Sequence, residues 1–258
     1  MSALLAADIG YSHTVLGLVD DGEVSDHWRV ATVEARTADE WAVLLRGLLG
    51  EHERDVAGIV VCSTVPAALQ EWRTMLRDDF GPVPSLVVEP GVRTGVPVLT
   101  DNPREVGTDR VVNALAAATR YGGPAVVVDF GGTATTFDVV NSQGQYIGGA
   151  ISPGIEISLE ALERRGAQLR MVELRRPRSV IARNTVEALQ SGMIFGVASQ
   201  VDGIVARVIE ELRVEPSAVS VIATGYLASL VYDECRCFTD HDPWLTLRGL
   251  ELVYLRNR

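Results

Sequence analysis

"VVVDFGGTATTFDVV", residues 126–140, runs from an apolar strand through a turn of small and hydroxylated residues and out along a second strand. Asp129 stands where the first strand ends, and Gly131, Gly132 and Thr133 form the turn behind it. The same design opens the chain in "LLAADIGYSHTVLGLVD", residues 4–20. Asp8, Gly10 and Thr14 match Asp129, Gly131 and Thr135 at a constant offset of 121 residues, and an ancient internal duplication is the economical explanation.

The segments around these hairpins predict an α/β fold. After the first hairpin comes a further strand, "EVSDHWRVAT", then a helix in "RTADEWAVLLRGLLG", where Thr37 and Glu40 have capping-box spacing and Trp41, Leu44, Leu45 and Leu48 share a face. Strand "AGIVVCS", helix "PAALQEWRTMLRDDF" and strand "SLVVE" add a βαβ rhythm and hence a parallel portion of sheet. A helix is expected between Pro103 and Gly122. Beyond the second hairpin, Pro153 and Gly154 stop a third strand. Helices follow in "IEISLEALERRG" and in a long segment capped by Asn184 with Glu187 three residues on. A late strand, "VSVIATG", and a terminal helix, "LTLRGLELVYLRNR", complete the pattern. The expected division is an N-terminal lobe, 1–117, and a C-terminal lobe, 118–258.

Composition excludes several classes of function. The 258 residues carry a formal charge of −11, which argues against a nucleic-acid partner, because phosphate binding needs excess cations. No uninterrupted run of about 18 apolar residues suggests a membrane helix, and "MSALLAADIG" is too short and too quickly acidic for a signal peptide, so a cytoplasmic location is expected. Cys62, Cys235 and Cys237 are too few and too scattered for a disulfide framework; Cys235 and Cys237 read as reduced thiols in a loop rather than as metal ligands. The chain contains no lysine, since all 23 of its basic side chains are arginine. A Walker A loop, a kinase lysine and a Schiff-base nucleophile are therefore ruled out. The arginines between 164 and 183 read as a solvated face or subunit edge.

Two lobes, each with an acidic strand end beside a glycine and hydroxyl turn, describe a clamp for a metal nucleotide. Glycine lets backbone amides approach phosphate oxygens, and hydroxyls add donors where lysine is missing. Asp8 and Asp129 offer the hard oxygens that suit Mg²⁺. Transfer of phosphate to an alcohol needs a further carboxylate, and "NPREVGTDRVVN" supplies Asp109, with Arg110 beside it to pair with a substrate carboxylate.

Together these segments resemble type III pantothenate kinases, of the acetate and sugar kinase/Hsp70/actin superfamily. The likeness rests on Asp8-Ile-Gly, Gly107-Thr-Asp109-Arg110, Asp129-Phe-Gly with its threonines, "GGAISPG" at 148–154, "RNTVEALQSG" at 183–192 and the terminal "LTLRGL". It runs end to end in the same order. The resemblance implies two ribonuclease-H-like, actin-like lobes with mixed sheets flanked by helices, a homodimer, ATP with Mg²⁺, a monovalent cation (K⁺ or NH₄⁺), and phosphorylation of pantothenate in coenzyme A biosynthesis. It further implies Asp109 as general base and Arg110 as the holder of the pantothenate carboxylate. Asp8, Gly10, Ser12, Gly131, Gly132 and Thr133 would line the ATP phosphates, with Asp8 and Asp129 at the metal. Thr100, Gly107 and Thr185 would line the pantothenate site, Thr185 from the neighbouring subunit.

Four segments depart from the family pattern: Tyr11-Ser12 where Asn-Thr is usual, an extra Gly132 in the second turn, Thr100 in place of a tyrosine, and Ile181-Ala182-Arg183 before Asn184-Thr185. The extra glycine is expected to change which amides face a ligand. A kinase of another small hydroxyacid or alcohol, and a catalytically weak accessory homologue, are the alternatives the residues leave open.

Overall fold

The computed structural model describes residues 3–165 and 172–258. The chain divides into two compact units, the first comprising 1–96, 101–116 and 244–258, the second 97–100 and 117–243.

In the first unit, β1 (Ala3–Ile9), β2 (His13–Asp20) and β3 (Glu23–Ala31) form an antiparallel meander, and β4 (Val56–Ser63) and β5 (Ser85–Val87) extend it in parallel, giving the order β3-β2-β1-β4-β5. Helix α1 (Ala38–Leu49) starts on the predicted capping box: the Thr37 hydroxyl accepts from the Glu40 N–H, and Glu40 reaches back to the Thr37 N–H. With α2 (Pro66–Asp78) it covers one face of the sheet, where Trp41, Leu45 and Trp72 bury against Leu5, Ala7, Ile9, Ile59 and Val61. These strand residues are the odd-numbered ones, so the even-numbered set, including Asp8 and Cys62, faces the other way.

Helix α3 (Thr108–Arg120) crosses from the first unit to the second. It starts five residues later than Pro103, which begins a separate short 3₁₀ turn, Pro103–Glu105. The second unit repeats the first sheet: β6 (Ala125–Phe130), β7 (Ala134–Val140) and β8 (Tyr146–Pro153) form the meander, and β9 (Ser220–Thr224) and β10 (Asp240–His241) extend it in parallel in the order β10-β9-β6-β7-β8. Helices α4 (Ile155–Arg165), α5 (Thr185–Leu212) and α6 (Ala228–Val231) complete it. The Asn184 side chain caps α5 by accepting from the Glu187 N–H at 2.9 Å.

The equivalence of the two hairpins extends to register. Asp8 lies opposite Val15 and Ile9 opposite Thr14, while Asp129 lies opposite Thr136 and Phe130 opposite Thr135. The turns Gly10–His13 and Gly131–Ala134 are therefore equal in length. Gly132 sits within the second turn without shifting the strands that leave it.

Two expectations need correction. The terminal helix α7 (Leu245–Arg256) does not join the C-terminal lobe, because Trp244–Arg258 returns to the first unit. It lies on the even-numbered face of the first sheet, where a Cβ at Gly17 would meet Leu247 Cδ1 at 2.6 Å and one at Gly58 would overlap the Tyr254 hydroxyl. The sequence showed a terminal helix; glycines on β2 and β4 decide which sheet it covers. Contrary to the expectation of no apolar run of membrane length, the 28 residues of α5 are long and apolar enough to cross a membrane. Here Met193, Ile194, Val201 and Val205 bury in the second unit's core.

Candidate active site

Asp8 ends β1 and points to the face on which α3 begins. Its carboxyl is pushed up to about 7, first by burial and then by the negative charge of Asp109, against a hydrogen bond from the Cys62 thiol. Asp109, in the first turn of α3, is also raised by burial, although the N–H and positive charge of Arg110 and its own N–H oppose the shift. Its Oδ1 is sealed from solvent with no hydrogen-bond partner. The approach of Gly107 explains that seal, for a Cβ there would overlap Asp109 Oδ1. Gly107, Asp109 and Arg110 thus form one compact corner in the first unit, facing Asp8. Two carboxylates that repel each other, one with an unpaired oxygen, suit a cation or a hydroxyl proton.

The turn after β1 is held by the Gly10 N–H donating to the His13 carbonyl at 3.1 Å and the Thr32 N–H donating to Ser12 at 3.0 Å. Tyr11 is 60% exposed, so its ring leaves the turn rather than filling it.

In the second unit Asp129 ends β6 as Asp8 ends β1. The Gly131–Ala134 turn supports the start of α4: Gly154 N–H donates to the Thr133 carbonyl at 2.9 Å and Ile157 N–H to the Gly132 carbonyl at 3.3 Å. The helix N-terminus is seated on the turn that carries the phosphate-type residues, a favourable environment for anions. Thr100 stands in the second unit near Gly148, its hydroxyl buried without a partner. Thr185 is the exposed first residue of α5, apart from the Gly131–Thr133 turn in sequence and held in place by its Asn184 cap.

Sequence reasoning passed over Thr224-Gly225, which ends β9. Asp129 lies directly opposite Thr224, and a Cβ at Gly225 would overlap Asp129 Oδ1 and come within 2.7 Å of the Phe130 N. Gly225 has φ +88, open to glycine at little cost. A glycine closing a parallel strand was the available signal. Beside it, the Tyr226 hydroxyl donates to Glu156 on α4 at 2.6 Å.

Among the described residues no three His, Cys, Asp or Glu side chains converge as a metal cage. Cys235 and Cys237 frame a loop whose Arg236 and Cys237 N–H groups donate to Asp202 at 2.8 and 3.1 Å, and burial beside that carboxylate pushes both thiols up. In the arginine run, Arg176 and Arg178 pair with Glu234 and Glu187; residues 166–171 of that run lie outside the described residues.

Twin five-stranded sheets of this order, with a paired acidic corner at one strand end, define an actin-like ATPase fold. An archaeal actin homologue, Ta0583, shares it at a TM-score of 0.56 and 14% identity, with 98% of this chain and 99% of that one covered. The family model for type III pantothenate kinase matches residues 4–207. Relatives named type III pantothenate kinase are 73% identical in a Nocardioides species, over 98% of this chain and 99% of that protein, and 58% identical in Streptomyces griseus, over 98% of each. The chain belongs to the type III pantothenate kinase family. Membership of a kinase family brings ATP use and a divalent cation. The buried Asp8 carboxyl fits that cation, since Mg²⁺ needs only one or two protein carboxylates when phosphates and water complete its shell.

Proposed function

We propose that this protein phosphorylates the primary hydroxyl of pantothenate with ATP, in the first step of coenzyme A biosynthesis. The observation that carries the reading is the buried Asp109 carboxyl, with its unpaired Oδ1, beside Asp8 and next to Arg110. Asp109 accepts the hydroxyl proton as the new oxygen–phosphorus bond forms and the bond to the β-phosphate oxygen breaks, releasing ADP. Arg110 holds the pantothenate carboxylate, and Gly107, Thr100 and Thr185 line that substrate. Gly10, Ser12, Gly131, Gly132 and Thr133 would line the phosphates and Asp8 and Asp129 would hold Mg²⁺, which when bound would neutralise charge developing on the transferred group. A monovalent cation, K⁺ or NH₄⁺, would also be required.

We further infer a homodimer in the cytoplasm. Exposed Ile147 and Ile151 on edge strand β8 and Ile157 on α4 support a covered apolar face on the second unit.

The test is ADP release with Mg·ATP and K⁺, with and without pantothenate. Pantothenate-dependent turnover is expected, and Asp109→Asn should lower kcat on the order of 10²- to 10⁴-fold. Turnover that ignores pantothenate, or survives Asp109→Asn, would overturn the assignment and direct attention to another alcohol or to an accessory role.

A further inference from the structure

Cys62 lies on β4 directly opposite Asp8 in the parallel β1–β4 register. Even-numbered residues of both strands share a face, so the two side chains stand side by side. The thiol is fully buried, and its Sγ donates to Asp8 Oδ1 at 3.3 Å. Among the described residues this is the one side-chain hydrogen bond Asp8 accepts.

We propose that Cys62 is a positioning residue for the metal–nucleotide site: its S–H occupies Asp8 Oδ1 and so presents Oδ2 to the cation. The inference rests on the reading that Asp8 holds the cation. A partner of this kind fixes the rotamer of a ligating carboxylate and tunes how strongly it binds, and its loss typically costs about 10- to 100-fold in metal affinity or activity. A thiol is a weak donor, which makes this grip looser than a hydroxyl's. The second sheet places Thr224 opposite Asp129 at the equivalent register position. The Thr224 hydroxyl is buried there without a hydrogen-bond partner, so a side-chain bond from this register position to the strand-end aspartate is particular to the first unit.

The experiment measures equilibrium binding of Mn²⁺ with a non-hydrolysable ATP analogue, by electron paramagnetic resonance, to the wild type, Cys62→Val, Cys62→Ala, Cys62→Ser and Asp8→Asn. Melting temperatures serve as folding controls. Valine and alanine are expected to weaken binding about tenfold, with serine recovering affinity to within about threefold of the wild type. Valine fills the space without donating and alanine leaves it empty, so parallel losses identify the hydrogen bond rather than packing. In an Asp8→Asn background, Cys62→Val should add nothing further. Wild-type affinity in Cys62→Val, alongside a clear loss in Asp8→Asn, would overturn the positioning role alone. Wild-type affinity in Asp8→Asn would instead overturn the reading of Asp8 on which it rests.

Discussion

Asp8 carries the sharpest electrostatic consequence. Its native pKa of about 7 lies above the ordinary carboxylate value of 3.8, so between them the native state binds more protons than the unfolded chain. In the absence of divalent cation, stability is therefore greatest below the lower value and is lost as pH rises through the higher one. Asp8→Asn should melt on the order of 5 °C above the wild type at pH 8 in chelator, with the gap closing toward pH 4. A gap that stays constant with pH would show that charge is not its source. Asp8 and Asp129 stood out in the sequence because the same acid and glycine turn recurs 121 residues apart, and Asp109 because it stands beside Arg110 two residues after Gly107. Cys62 and Thr224 were not, since what sets them beside those acids is pairing between strands distant along the chain. A buried thiol and an ordinary strand-end hydroxyl look the same in sequence whether or not an aspartate lies across the ladder.

At the scale of elements, the hairpins and the capped helices α1 and α5 were readable because their signals are local. The consequence of Gly132 was not. The two turns are equal in length and matching in register, and the Gly132 carbonyl accepts from the start of α4. The turn and α4 behave as one piece. A Cβ at Gly154 would come within 2.7 Å of the Gly132 carbonyl carbon and 2.8 Å of the Ala134 N. These are backbone atoms that cannot rotate away, so Gly154→Ala must push the helix or the turn. We expect KM for ATP to rise about tenfold or more, with KM for pantothenate changing less, since small misplacements of a catalytic constellation carry large rate costs. Equal increases in both would mean the turn does not serve the nucleotide.

At the scale of the whole molecule, the duplication was suggested by two short hairpins, and the two units part along α3, between Ala116 and Ala117. The allegiance of α7 was hidden, because an apolar stripe says that a helix is buried without saying against which sheet. Gly249 makes the close approach: a Cβ there would meet the Val112 carbonyl at 2.5 Å and Val112 Cγ1 at 2.7 Å. Gly249→Val should cost about 2 kcal/mol or more in urea denaturation. Hydrogen exchange should speed in β1, β2 and β4 while β6, β7 and β9 keep their protection. Uniform loss across both sheets would refute that assignment of α7.

The return of α7 also sets a timetable. During synthesis the strands of the first sheet leave the ribosome long before Trp244–Arg258, the segment that covers one of their faces, has been made. The second unit, drawn from the continuous stretch 117–243 and the short 97–100, is complete before that segment emerges. The half of the protein that begins first is thus the half that finishes last. Until that segment emerges, Leu4, Ala6 and Val60 lack the helix that covers them in the native fold, and nascent chains stalled before residue 244 should engage chaperones through that face.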